Sequence, residues 1–185
     1  MVVASDAGRD ALPLTLGFPR SLQDELVRLA RAGDPEEICG ILAGRRGRVE
    51  RIFPVTNSAE SISPQAGVFR DRQSGTATGG QKPVHYYMDP RDQMRAYDAI
   101  DAAGLDVVGY YHSHTHTEAR PSPTDIRLAA DSSVFWVLVS LKADEPHPPV
   151  RAWRILKADP ADEAGDVVEV ALDERTTAAT VAGPS

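Results

Sequence analysis

Tyr110-Tyr111-His112-Ser113-His114, followed after a short gap by Pro121-Ser122-Pro123-Thr124-Asp125, is the stretch on which the reading of this chain turns. The run from Val107 to His114 is apolar and bounded by Gly104, so it reads as a strand. Residues two apart in a strand point to the same face, and His112 and His114 therefore aim two imidazoles at one point. Pro123 suits the first position of a helix, which puts Asp125 in the first helical turn on a loop short enough to fold back over both histidines. Two neutral imidazoles and one carboxylate, with a fourth position left for water, form the ligand pattern of a catalytic zinc site. Ser122 and Asp125 also make a helix capping box by themselves, so Ser122 has a structural reading beside any chemical one.

Outward from this stretch, strands and helices alternate, which makes the class α/β with a mixed sheet. A short strand is expected at Leu12 to Leu16. A helix opens at Ser21 and ends at Gly33-Asp34-Pro35. Ile38 to Ala43 is a buried strand, Arg45 to Arg48 a hairpin turn containing Gly47, and Val49 to Val55 the next strand. Pro83 to Met88 is expected as a strand. Asp89-Pro90 opens a helix through Ala103 with Met94, Tyr97 and Ile100 on one face, and Pro123 to Ala130 is a short helix. Val134 to Leu141 is a central strand, Val150 to Leu156 another, and Val167 to Leu172 a last edge strand. The expected division is a disordered tail over 1–11, one domain over 12–172, and a disordered tail over 173–185. Residues 57–82 lose all periodicity, and their Gly/Thr/Ser-rich part, Gln73 to Gln81, is too polar to pack. That segment is expected as a flexible flap that orders over a bound substrate tail.

The 185 residues suit one domain, and a hydrophobic fraction of 42% is enough for a real core. The net charge of -7 supplies no electrostatic footprint for nucleic acid or an anionic membrane. No apolar run approaches a membrane span and the N-terminus lacks a signal-peptide pattern, so the expected location is cytoplasmic. The one cysteine, Cys39, excludes an intramolecular disulfide and any multi-cysteine metal site. It lies in a predicted buried strand with no basic neighbour, which favours a small core residue over a nucleophile.

A metal-activated water needs a base, and Glu37 immediately precedes the strand that starts at Ile38. Strand alternation favours Glu37 over its neighbour Glu36. The Ser122 hydroxyl can donate to an oxyanion as a carbonyl becomes tetrahedral. His116 is a third histidine in register with the other two, read as a loop or substrate-facing residue. Ser113 reads as a locally satisfied strand residue, and Trp136 and Trp153 as core aromatics.

Glu37-Ile38-Cys39-Gly40, then His112-Ser113-His114, seven residues, Ser122, two residues and Asp125 resembles the JAMM (MPN+) metalloprotease signature. The resemblance covers roughly residues 12–157. It implies a single JAMM/MPN-type domain with a mixed sheet flanked by helices, cytidine-deaminase-like in layout, and one Zn2+ per chain. It also implies hydrolysis of a peptide or isopeptide bond just after the C-terminal Gly-Gly of a ubiquitin-like protein. Carried over residue by residue, His112, His114 and Asp125 are ligands, Glu37 the general base and Ser122 the oxyanion donor. Pro35 to Gly40, Tyr110 to His114 and Thr117 to Ser122 resemble the small bacterial branch, whose actinobacterial members remove cysteine from a ThiS-like sulfur carrier protein in a route of cysteine biosynthesis. Ser61 to Lys82 departs from that branch by its length, and lies where eukaryotic members carry an insertion flanking the substrate cleft. The expected partner is therefore a ubiquitin-like sulfur carrier as substrate, with no nucleic acid and no membrane. The oligomeric state is left open, a homodimer being one option. The alternatives are an isopeptidase that frees protein lysines and a catalytically silent scaffold, which usually lacks a ligand or the base. A deaminase of a related zinc fold would need paired cysteine ligands that this chain does not have.

Overall fold

The computed structural model describes residues 14–61, 86–143 and 149–175. The first helix, α1 (Arg20–Gly33), buries Leu26 and Ala30 on one stripe and stops at Asp34, whose N–H donates to the Ala30 carbonyl. The strands β2 (Cys39–Arg45) and β3 (Arg48–Val55) form the expected hairpin. Arg46 and Gly47 sit at φ 53° and 68°, the positive values that a two-residue turn matching the sheet twist requires. The second helix, α2 (Pro90–Ala102), starts where the Asp89 side chain accepts the N–H groups of Arg91 and Asp92. Its buried line is Ala96 and Ile100, whereas Met94 is 58% exposed. Met94 lies about a third of a turn from that line, so the expected stripe of Met94, Tyr97 and Ile100 holds only in part.

The remaining elements are β4 (Asp106–His114), α3 (Pro123–Leu128), β5 (Phe135–Ser140), β6 (Val150–Leu156), β7 (Asp166–Asp173) and, at the start, β1 (Thr15–Gly17). The sheet is mixed as expected. Its strands run in the order β1-β3-β2-β4-β5-β6-β7 and close into a ring. β4 pairs antiparallel with β2 and parallel with β5, the return across α3 being the crossover. Closure corrects one expectation, because β7 is not an edge. β1 pairs with it in parallel from Thr15↔Ala171 to Gly17↔Asp173, and the Phe18 N–H donates to the Asp173 carbonyl at 2.8 Å. β1 supplies the row of backbone partners that an edge would leave open, and β7 therefore runs one residue past the expected boundary at 172.

Residues 57 to 61, expected as the start of the flap, are held instead. Asn57 bridges to Met88, and Ala59–Ser61 form a 3-10 turn. The remainder of the flap, 62–82, lies outside the described residues, as do 1–13 and 176–185. Pro83 to His85 lie outside as well. Tyr86 and Tyr87 form no strand, and the single bridge at Met88 is followed at once by the Asp89 cap, which leaves no length for a ladder.

The ring presents two covered faces. Along β2, Leu42 packs with Leu26, Tyr111 and Val137 on the α1 side, while Ile41 and Ala43 pack with Ile100 on the α2 side. β5 is buried along its whole length. Trp136 and Trp153 are core residues as expected, packed with Ala119 and with Ile126 of α3. Among the described residues no helix is long and apolar enough to cross a membrane.

Candidate active site

β4 delivers His112 and His114 to one face at its C-terminal end, with their Nε2 atoms 3.1 Å apart. The first turn of α3 brings Asp125 over them. Its Oδ1 is 3.3 Å from His112 Nε2 and its Oδ2 3.5 Å from His114 Nε2. All three residues are buried, and their donor atoms lie within 4.8 Å of one another. The Ser122 N–H and Oγ both donate to Asp125 Oδ2, at 2.7 and 2.6 Å, so the carboxylate is fixed by the helix cap itself. On the far side of His114, Nδ1 bonds the Glu118 carbonyl at 2.7 Å with Thr117 Oγ1 at 3.0 Å. A carbonyl only accepts, so Nδ1 carries the hydrogen and Nε2 turns its lone pair to the centre. The loop that makes these bonds is itself anchored, with Trp153 Nε1 donating to the Ala119 carbonyl at 2.9 Å and Ser140 Oγ to the Thr117 carbonyl at 2.9 Å. The Tyr86 ring stacks on His112, with centroids 4.2 Å apart and planes 23° from parallel.

The electrostatics suit a cation. Burial pulls the His112 imidazole down from its ordinary value, which keeps it neutral with a lone pair free. Burial alone would push the Asp125 carboxyl up, but His112, His114 and Ser122 hold it well below the usual carboxylate range. Burial pulls His114 down, and its bonds to Asp125 and Glu118 more than offset this. Two inward imidazole nitrogens stand 3.1 Å apart beside a carboxylate in a buried space, and these nitrogen and oxygen donors fit a divalent metal ion.

The family model for prokaryotic homologs of the JAB domain matches residues 19–156. The chain belongs to this family. Over 150 residues it is 35% identical to the CysO-cysteine peptidase of Mycobacterium tuberculosis, a match that covers 80% of this chain and 88% of that one. It is 30% identical over 131 residues to the desampylase of Haloferax volcanii, covering 68% of this chain and 80% of that one. A Desulfitobacterium hafniense protein of known solution structure superimposes with a TM-score of 0.62 at 30% identity, over 85% of this chain and 91% of that one. This JAB-domain chain is a metallopeptidase of the JAMM class.

Within the JAB domain the five residues singled out from sequence come together, although they arrive from β4, α3 and the entry to β2. Glu37 is buried, and its carboxyl is pushed up to about 8 by burial, with His114 lowering it and Asp125 raising it. Glu36 is exposed. Cys39 pairs in register with His112 and packs in the core. Burial, and then the Glu37 charge, push its thiol up to about 12. Gly40 follows because a Cβ there would stand 2.4 Å from the Phe53 carbonyl oxygen and 2.6 Å from Tyr111 Oη. Ser113 Oγ accepts the Ile38 N–H at 2.9 Å, a strand residue locally satisfied as expected. His116 is exposed and stands outside the cluster. Sequence reasoning passed over Tyr86 and Asn57. A tyrosine before a helix cap and an asparagine after a strand carry no periodicity that distinguishes them from turn residues.

Proposed function

We propose that this JAB-domain protein hydrolyses the bond after the C-terminal Gly-Gly of a ubiquitin-like, ThiS-like sulfur carrier protein, releasing cysteine or a short extension, with one zinc ion per chain. The observation that supports this best is the meeting of the His112, His114 and Asp125 donor atoms within 4.8 Å, beside a buried Glu37 carboxyl. The likeness to a CysO-cysteine peptidase supports the choice of bond.

In this reading His112, His114 and Asp125 hold the zinc, which when bound supplies a Lewis acid for the scissile carbonyl. Glu37 takes the proton of the attacking water on its carboxylate and returns it to the leaving amine. Burial raises the affinity of this carboxyl for a proton, which suits a group that must take one and then return it. Ser122 Oγ turns its proton from Asp125 Oδ2 to the oxyanion. Oδ2 keeps the Ser122 N–H at 2.7 Å meanwhile, so the ligand stays in place.

The test uses zinc-loaded protein with two substrates. One is a carrier ending in Gly-Gly-cysteine, and the other is the same carrier joined through Gly-Gly to a lysine side chain. Mass spectrometry should find free cysteine from the first, and an intact first substrate overturns the reading. The likeness to a desampylase favours a second reading, removal of a ubiquitin-like modifier from protein lysines. Cleavage of the branched substrate alone would select it.

A further inference from the structure

One carboxamide fastens two segments beside the candidate site. Asn57 lies just past β3, where the chain leaves the sheet. Its Oδ1 accepts the N–H groups of Ala59 and Tyr87, each at 3.0 Å, and its Nδ2 donates to the Glu37 carbonyl at 2.9 Å. The two N–H donors dictate which end of the amide is oxygen, so the nitrogen is the end that faces Glu37. The bond to Tyr87 sets the backbone beside Tyr86, whose ring lies on His112. Parallel bonds from the Ser58 N–H to the Tyr87 carbonyl and from the Asp89 N–H to the Thr56 carbonyl, at 2.8 and 2.9 Å, hold the same two segments together. Those are backbone bonds open to any residue type. The reach from this junction to Glu37 needs a side chain that donates at one end and accepts at the other.

The geometry points to Asn57 as a positioning residue that holds Glu37 and the Tyr86–His112 stack at a fixed spacing. Its bearing on turnover rests on the role of Glu37 proposed above. The bond to Ala59 taken alone is an Asx turn, which would stabilise the loop and nothing more. Two substitutions separate these functions. Asn57→Asp keeps both acceptor bonds and replaces the donor to Glu37 with an oxygen that repels the Glu37 carbonyl. Asn57→Ala removes these three bonds.

Asn57→Asp should leave the His112 ring resonances of the metal-free protein at their wild-type positions. It should speed hydrogen exchange of the Ile38 amide, next to the freed Glu37 carbonyl. Turnover per folded molecule should fall about 10–100-fold, with KM near wild type. Asn57→Ala should in addition shift the His112 ring resonances as the Tyr86 stack loosens. The resonances and the exchange are read without metal or substrate. A wild type that cleaves no carrier therefore removes the functional reading, while these two measurements still decide the role of Asn57. The assignment is overturned if Asn57→Asp leaves Ile38 exchange unchanged, or if it turns over at the wild-type rate in an active enzyme. A thermal midpoint that falls while kcat per folded molecule holds returns Asn57 to the Asx turn. Should Asn57→Ala fail to fold, Asn57→Asp decides alone.

Discussion

Ser122 and Asp125 serve each other in the first turn of α3, with the Ser122 hydroxyl donating to Asp125 Oδ2 at 2.6 Å and accepting the Asp125 N–H at 3.2 Å. A helix cap and a candidate metal ligand are thus one unit. Ser122→Ala should cost about 1 kcal/mol of stability through the lost cap. It should weaken metal binding by less than about 10-fold, because the Ser122 N–H still holds Asp125 Oδ2. Turnover at saturating metal should fall a further 10²–10³-fold, roughly, if the hydroxyl serves the oxyanion. A melt, a metal titration and a rate on the same variant separate these effects, and a wild-type rate at saturating metal would leave Ser122 as a cap alone.

His114→Ala should lose metal and activity together, since its Nε2 faces the other donors and its Nδ1 anchors the ligand loop at Glu118. Elemental analysis after dialysis checks this. One equivalent of retained metal with full turnover would reject the ligand assignment.

Glu37→Gln should retain the metal while turnover drops by a factor of about 10²–10⁴, the range of a lost general base. If Glu36→Gln is the inactive variant and Glu37→Gln is not, the base has been placed on the wrong glutamate.

The Glu37 carboxyl also predicts a pH dependence in the metal-free protein. Its affinity for a proton rises from an ordinary value of 4.5 to about 8 on folding. The folded state binds that proton more tightly than the unfolded state, so the contribution is complete below pH 4.5 and is lost as the pH climbs through 8. Glutamine has no proton to lose. Glu37→Gln should therefore gain on the wild type between pH 4.5 and 8, reaching a gap on the order of a few kcal/mol above that. Urea melts of chelator-treated proteins at pH 5, 7 and 9 measure it, and parallel curves at all three would remove the burial argument.

Cys39 should be inert in the folded protein, because burial and the Glu37 charge push its thiol to about 12. A thiol reagent should label it only in denaturant, and Cys39→Ala should keep turnover within about threefold of wild type, since truncating a small core side chain chiefly affects stability. Rapid labelling of the native chain would mean that β2 opens at the site.

Much of the site was legible in sequence because its geometry is local. Alternation along β4 sets the direction of His112 and His114, and Pro123 with Ser122 sets where α3 begins and so where Asp125 sits. Glu37 was legible through its place before a buried apolar run. The ring closure was not, because β1 spans only Thr15–Gly17, too few residues to show a period, and its partners lie at the other end of the chain. Asn57 was missed for a related reason, since its bonds join Glu37, Ala59 and Tyr87 across segments whose proximity exists only after β2, β3 and the approach to α2 have packed.

The seam between β1 and β7 bears on how the protein is made. β1 pairs with β7 along all three of its residues but with β3 only at Gly17↔Arg48. A chain emerging from the ribosome can assemble the β2–β3 hairpin first, since that pairing joins neighbouring strands, and β4 can join it well before the C-terminal strands are made. The β1–β7 seam cannot form until Asp173 is out, and contacts of such wide sequence separation form slowly. Until then the outer edge of β3 and the far side of β6 stay open to other nascent chains, a template for edge-to-edge association. The candidate ligands His112, His114 and Asp125 are all synthesised before that point. The candidate centre can therefore take shape in a molecule whose barrel is still open.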